Sequence, residues 1–303
     1  MHCVSRMRIL IQHTTRYTYP EEVQFTPHRI LLRPRENPSL RVLSMDLKIE
    51  PAASIKWMAD SFENQIAVAY FEAPSSAIHI EATILTELLT DNPFDFIIEP
   101  YAENYPFSYN PDERKALSPY LEVGSPSSSA KVLPWIWKEF PQLPGQSLDL
   151  LTQLNRRIHE RFQYQRRDEE GVQNPDETIS LGSGSCRDFA RLFTEACRQL
   201  GFAARFVSGY LYDPPTGSGH FQNVAEGSMH ACAEVFLPGA GWKGFDSTNG
   251  MLANQYFIPC AVANEPKLTS PIQGSFYHAQ MRVPSTMEVS LNLKSMDPDH
   301  ASA

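Results

Sequence analysis

Apolar and polar positions alternate through much of the first hundred residues. Ile9, Ile11, His13, Thr15, Tyr17 and Tyr19 take one parity, and Leu10, Gln12, Thr14, Arg16 and Thr18 the other. Ile66, Val68 and Tyr70 repeat the pattern, as do Ile78, Ile80, Ala82 and Ile84. A period of two in β-branched and aromatic residues predicts half-buried strands. Pro27, Pro34, Pro38, Pro51, Pro74 and Pro93 punctuate them. Residues 1–110 are therefore expected to form an antiparallel, β-sandwich-like domain. Its histidines, His13, His28 and His79, are scattered and read as satisfied strand residues. Residues 111–146 are interrupted by proline and carry a serine run from Ser125 to Ser129. They read as a linker with one short helix around Trp135–Phe140.

From Ser147 the period changes. Leu148, Leu151, Leu154, Ile158 and Phe162 fall at helical spacing and predict an amphipathic helix ending near Arg161. Residues 163–180 are polar and read as a loop. A second helical stripe follows in Phe189, Phe193, Ala196, Cys197 and Leu200, and Gly201 supplies its left-handed stop. Ala203–Tyr212, Met229–Leu237 and Trp242–Asp246 read as strands, the last two joined by the turn Pro238-Gly239-Ala240-Gly241. The Gly-, Pro- and Ser-rich stretch 213–227 reads as a long loop of the kind that often acts as a lid. Helix followed by antiparallel hairpin is an α+β arrangement. A second domain is expected over 147–293, with a flexible tail at 294–303.

Composition narrows the function classes. The chain has 303 residues and a net charge of −9, which argues against general binding to nucleic acid or to an anionic membrane. No apolar run approaches the roughly 20 residues that span a bilayer, and no signal peptide is expected at the start. Five cysteines, without framework spacing, fit a reduced, cytoplasmic setting. No clustered Cys or His spacing points to a metal, and no cofactor is implied.

One cysteine stands apart. Cys186 lies in Gly182-Ser183-Gly184-Ser185-Cys186-Arg187-Asp188-Phe189-Ala190, at the predicted start of a buried helix. Ser183 or Ser185 can cap that helix. Free N–H groups and the positive end of the dipole favour thiolate over thiol there. Cys3, Cys197, Cys232 and Cys260 read as packing residues. His230 opens one strand of the hairpin and Asp246 ends the other, so the two can be neighbours across it. A nucleophilic thiol needs a base, and the base needs an acceptor to hold its tautomer. Cys186, His230 and Asp246 supply those groups if the hairpin packs on the Cys186 helix. Cys232 shares the strand face of His230 by the period of two.

Four spaced motifs then carry a resemblance. They are Gly184-Ser185-Cys186-Arg187-Asp188-Phe189-Ala190, Ala204-Arg205-Phe206-Val207-Ser208-Gly209-Tyr210, His230-Ala231-x-x-Glu234-Val235, and Gly241-Trp242-x-x-Phe245-Asp246-x-Thr248. With His13-Thr14-Thr15-x-Tyr17-x-Tyr19, Leu32-x-Pro34-Arg35 and the segment Tyr164–Thr178, they make the chain resemble the bacterial transglutaminase-like family from about Ile9 to Phe276. The resemblance implies a papain-like α+β core, with Cys186 as nucleophile, His230 as base and Asp246 as orienting acid. It implies acyl transfer through a thioester. Hydrolysis of a peptide, isopeptide or amide bond is the expected outcome, with a peptide or protein as substrate. Glutamine cross-linking and a non-catalytic binding scaffold are the alternatives. Tyr164 is a candidate second oxyanion donor, with packing as its competing role. The family usually has Trp where Cys232 stands and Pro where Ser247 stands. The first change is expected to remove an apolar shield from His230, and the second to leave Asp246 less firmly held.

Overall fold

The computed structural model describes residues 6–89, 92–167, 169–213, 229–254, 256–277 and 284–296. The proposed lid over 213–227 therefore lies, beyond its first residue, outside the described residues, as does Cys3.

The alternating start folds into two antiparallel sheets. Their strands are β1 (Arg6–Phe25), β2 (His28–Ile30), β3 (Leu40–Glu50), β4 (Ala53–Ala59), β5 (Gln65–Phe71) and β6 (Ser75–Leu89). One sheet has β6 between β1 and β3, and the other has β5 between β2 and β4. Ile9 and Ile11 of β1, Ile30 of β2, Ala67 and Ala69 of β5, and Ile78, Ile80 and Ile84 of β6 fill the space between them. In β1 and β6 these are the same-parity residues that define the strands in the sequence, but in β5 the interior takes Ala67 and Ala69, the opposite parity to Ile66, Val68 and Tyr70, while Ile66 and Val68 pack with Leu31 and Ala261.

Residues 111–146 are more ordered than a linker. They form α1 (Pro111–Ala116), α2 (Ser118–Leu121), α3 (Pro126–Ser129) and α4 (Val132–Glu139). The prolines sit in the first turns of α1, α2 and α3, where the missing N–H is not needed. Asn110 and Glu113 close a reciprocal capping box on α1.

The core domain runs through α5 (Ser147–Arg161), β7 (Gln163–Tyr164), α6 (Pro175–Leu181), β8 (Ser183–Gly184), α7 (Cys186–Gln199), β9 (Ala204–Leu211), β10 (His230–Leu237), β11 (Gly241–Asp246), β12 (Met251–Leu252) and β13 (Phe257–Ala263). Residues 163–180 are thus not all loop. Asn174-Pro175-x-Glu177 makes a second capping box, which starts α6. β9 to β13 form one antiparallel sheet in the order β12-β11-β10-β9-β13. On one of its faces Ala204, Ala233, Val235 and Phe245 pack against Val132 and Ile136 of α4, Leu151 and Leu154 of α5, and Phe189 and Phe193 of α7. The Phe193 and Phe245 rings lie 5.2 Å apart.

The chain then returns to the first domain, so a catalytic domain running from 147 to 293 does not describe the structure. β14 (Ile272–Gln273) pairs with β2, β15 (Phe276–Tyr277) with the end of β1, and β16 (Thr286–Ser295) with β1 from Ile9 to Thr18. Lys294 and Ser295, expected in a flexible tail, belong to this last strand. Without β16, β1 would present a long open edge, which sheets avoid. Tyr210, Ile258 and Cys260 of the core sheet complete the sandwich interior, so the two domains share one core cluster.

Candidate active site

The first turn of α7 is built by short residues and one acid. Gly182, at φ +66°, ends α6, and β8 runs parallel to β7 with Tyr164 opposite Gly184. Ser185 is the N-cap in extended backbone, and Cys186 opens the helix. The Asp188 carboxylate accepts from the Ser185 N–H at 2.8 Å and from its hydroxyl at 2.8 Å. Gly201, at φ +88°, ends the helix as expected, with the Phe202 N–H bonded to the Cys197 carbonyl. Cys186 is half-buried and packs against Ala190, Phe206 and Ala231, which sets the start of α7 on β9 and β10.

His230 and Asp246 meet across the hairpin. Ala233 pairs with Phe245, and carrying that register on by one position sets Cys232 opposite Asp246, with His230 diagonal to it. His230 Nε2 donates to Asp246 Oδ2 at 2.9 Å, and both residues are buried. With Nε2 engaged by Asp246, Nδ1 is the ring nitrogen left to exchange a proton with a thiol. Nδ1 is buried and makes no hydrogen bond among the described residues. Burial alone would pull the imidazole pKa down. The Asp246 carboxylate outweighs it and, with the nearby Cys186 and Cys232 thiols, holds that pKa well above its usual 6.5. For Asp246, burial pushes the carboxyl up, and His230 together with Asn249 brings it below its usual value.

Asp246 is firmly held despite Ser247. Besides His230, its carboxylate accepts from the Thr248 N–H at 2.9 Å, the Asn249 N–H at 3.2 Å and Asn249 Nδ2 at 2.7 Å. The backbone is tied by Asn155, buried on α5, whose Nδ2 donates to the Asp246 carbonyl at 3.3 Å and the Met251 carbonyl at 3.0 Å. The Ser247 hydroxyl donates to Asn155 Oδ1 at 2.7 Å. One turn further along α5, His159 Nδ1 lies 2.7 Å from the Thr248 carbonyl. Hydrogen bonds thus replace the ring of the expected proline, and the expectation of a loosely held Asp246 does not stand.

Nor is His230 unshielded. The Phe257 ring of β13 stands edge-on to the imidazole, with centroids 6.0 Å apart. Behind it, Cys232 is buried among Val207, Val262, Phe62 and Phe257. Burial, then the charge of Asp246, pushes the Cys232 thiol up to about 12. His230, Cys232 and Asp246 place donor atoms within 4.8 Å of one another and are the residues that could hold a metal. Nε2 is already engaged by Asp246, and the Cys232 thiol keeps its proton at neutral pH. Tyr164 is half-buried, its ring 6.4 Å from Phe189 one turn beyond Cys186. Burial raises its phenol, and the neighbouring Cys186 raises it further.

Sequence reading missed Asn155, Asn249, Phe257 and the Arg167–Asp188 pair described below. A polar Asn inside the apolar stripe of α5 was a visible signal for the first. Phe257 carries no local signal, because its role depends on β13 crossing to the far side of β9.

Comparison with known proteins agrees with this architecture. Residues 9–87 match the bacterial transglutaminase-like N-terminal region, and residues 140–247, which hold Cys186, His230 and Asp246, match the transglutaminase-like superfamily. Over these two stretches the chain is similar to transglutaminase-like proteins. It is 26% identical over 301 residues to uncharacterized proteins of Mycobacterium tuberculosis and Mycobacterium bovis, covering 96% of this chain and 94% of each relative. An uncharacterized protein of Mycobacterium leprae is 20% identical over 294 residues, covering 89% and 93%. A cysteine protease candidate from Cytophaga hutchinsonii, solved at 18% identity, shares the fold with a TM-score of 0.72 over 97% of this chain and 92% of that one.

Proposed function

We propose that this transglutaminase-like protein is a cysteine-dependent acyl-transfer enzyme that hydrolyses a peptide, isopeptide or amide bond. The observation that carries the reading is the buried His230–Asp246 pair, 2.9 Å apart, beside a half-buried Cys186 at a helix N-terminus. In this reading Nδ1 of His230 takes the Cys186 proton, and Asp246 stabilises the imidazolium that results. The thiolate attacks the carbonyl. The oxyanion faces the Cys186 N–H, one of the helix donors without an intrahelical partner, with Tyr164 as a candidate for the second donor. His230 returns its proton to the departing amine, leaving a thioester on Cys186, which water then hydrolyses. The chemistry needs no metal or organic cofactor. A peptide or protein is the proposed substrate. Free thiols at Cys186, Cys197, Cys232 and Cys260 support a reducing compartment, the cytoplasm, as the proposed location.

The test is turnover of a mixed library of quenched fluorescent peptides and isopeptides by the full chain. Cleavage that is lost in Cys186→Ala and in His230→Ala is the expected result. Incorporation of a primary amine into glutamine peptides, without cleavage, would replace hydrolysis by cross-linking. No turnover of either kind, with a Cys186 thiol no more reactive than an unfolded one, would favour a non-catalytic scaffold.

A further inference from the structure

The Asp188 carboxylate is fully buried in the first turn of α7, and every bond it accepts comes from the surroundings of Cys186. Oδ2 takes the Ser185 N–H and hydroxyl, as described. Oδ1 takes the Gln173 N–H at 2.8 Å. Arg167 Nη1 reaches Oδ1 at 2.8 Å and Oδ2 at 2.9 Å, with an Arg167 side chain only 17% exposed. Gly184 makes room for this, since a Cβ there would stand 2.9 Å from the Asp188 Cβ. Arg187 adds a second tie to the same segment, donating to the Arg167 carbonyl at 3.0 Å and the Glu169 carbonyl at 2.6 Å.

A carboxylate in a first turn stabilises the helix by capping and by complementing its dipole. Here it also sets a fixed negative charge two residues from a thiol that must itself become negative, and like charges oppose one another. Without Arg167, three hydrogen bonds to its oxygens would remain. The cation that bridges both oxygens removes the conflict.

We propose that Arg167 is a positioning residue for the nucleophile: it cancels the charge of Asp188, so that the carboxylate can cap α7 without opposing the Cys186 thiolate. This rests on the reading of Cys186 as a nucleophile and needs no knowledge of the substrate.

The experiment is the rate of Cys186 alkylation by iodoacetamide against pH, followed by mass spectrometry on the full chain, for the wild type, Arg167→Met, Arg167→Lys and Arg167→Met with Asp188→Asn. Arg167→Met is expected to move the midpoint of the profile up by about one pH unit, slowing alkylation at neutral pH roughly tenfold. Arg167→Lys keeps the charge and stays near the wild type. The double variant has neither charge and recovers most of the rate. A scaffolding role alone makes the double variant at least as slow as Arg167→Met, and that result overturns the proposal. If the double variant fails to fold by circular dichroism, the contrast between Lys and Met at 167 decides: an equal loss overturns the proposal, and loss confined to Met supports it. A fast wild type with an unchanged Arg167→Met profile sinks this proposal alone. A wild type no faster than an unfolded thiol sinks the nucleophile reading and this proposal with it.

Discussion

At the scale of single residues, two thiols sit close to the imidazole and differ in burial and in their place on the backbone. Cys186 is half-buried at a helix N-terminus. Cys232 is buried mid-strand, with its thiol pushed up to about 12. Only a thiolate attacks, so Cys186→Ser is expected to abolish turnover and Cys232→Ser to retain most of it. The reverse pattern, measured on a cleavable peptide, would transfer the nucleophile to Cys232. Asp246 is the next test. Its charge is what lifts the His230 pKa against burial. In Asp246→Asn burial dominates, the imidazole loses its proton at lower pH, and the thiolate loses its counter-ion. Activity is expected to fall by a factor of about 10²–10⁴ with the fold retained. Full activity of that variant would leave a dyad of Cys186 and His230. The same two groups set a stability window. The raised His230 pKa gives a contribution that is complete below about 6.5 and lost as pH rises through the folded value. The lowered Asp246 pKa gives one that is present above about 4 and lost as pH falls through the folded value.

At the scale of elements, α5 does more than fill the core. Its inner face carries Leu151, Leu154 and Ile158, which the helical period makes legible. The same face carries Asn155, which periodicity cannot interpret, because its bonds go to a turn 91 residues away in sequence. Ser247→Pro, a change toward the usual pattern of the family, therefore removes the hydroxyl that donates to Asn155 Oδ1. Leaving a buried acceptor unmatched costs about 1–3 kcal/mol. The expected outcome is a loss of that size in denaturant unfolding, with activity falling rather than rising. A variant as stable as the wild type and more active would show that backbone restriction at 247 outweighs the hydrogen bond. Local signals explain why some elements were legible and others were not. The stripe from Phe189 to Leu200 and the stop at Gly201 identify α7. The capping pairs Asn110/Glu113 and Asn174/Glu177 mark α1 and α6, but short helices in proline-rich sequence carry too little periodicity to stand out. In β16, Met287, Val289, Leu291 and Leu293 alternate clearly. Alternation announces a strand but does not say which sheet it joins, so the return of the chain to β1 was not legible.

At the scale of the whole molecule, the sandwich and the sheet β9 to β13 share one core cluster, and His13 marks their seam. It lies on β1, with Nδ1 3.1 Å from the Tyr210 hydroxyl on β9 and Nε2 3.0 Å from Thr15 Oγ1. Tyr210 is fully buried, and its hydroxyl also reaches the Leu32 carbonyl at 3.4 Å. Close by, the turn before β5 inserts Phe62 beside Cys232, and Asn64 accepts from Arg35 and from the Val262 N–H. The first domain thus backs the sheet face that carries His230 and Asp246, so loosening the seam should disturb the site. Burial lowers the His13 pKa from 6.5 to about 4. A depressed histidine binds its proton more readily in the unfolded chain. Its stabilising contribution is therefore complete above about 6.5 and is lost as pH falls toward 4. Over that interval the loss is on the order of 3 kcal/mol. His13→Gln keeps polar atoms near Tyr210 and Thr15 but cannot titrate. Urea unfolding at a series of pH values should show the wild type losing stability on acidification relative to His13→Gln. The difference between the two curves should shrink steadily between pH 6.5 and 4. Because other groups are common to both proteins, a constant difference across that range would mean that the His13 seam opens or hydrates before the histidine is protonated.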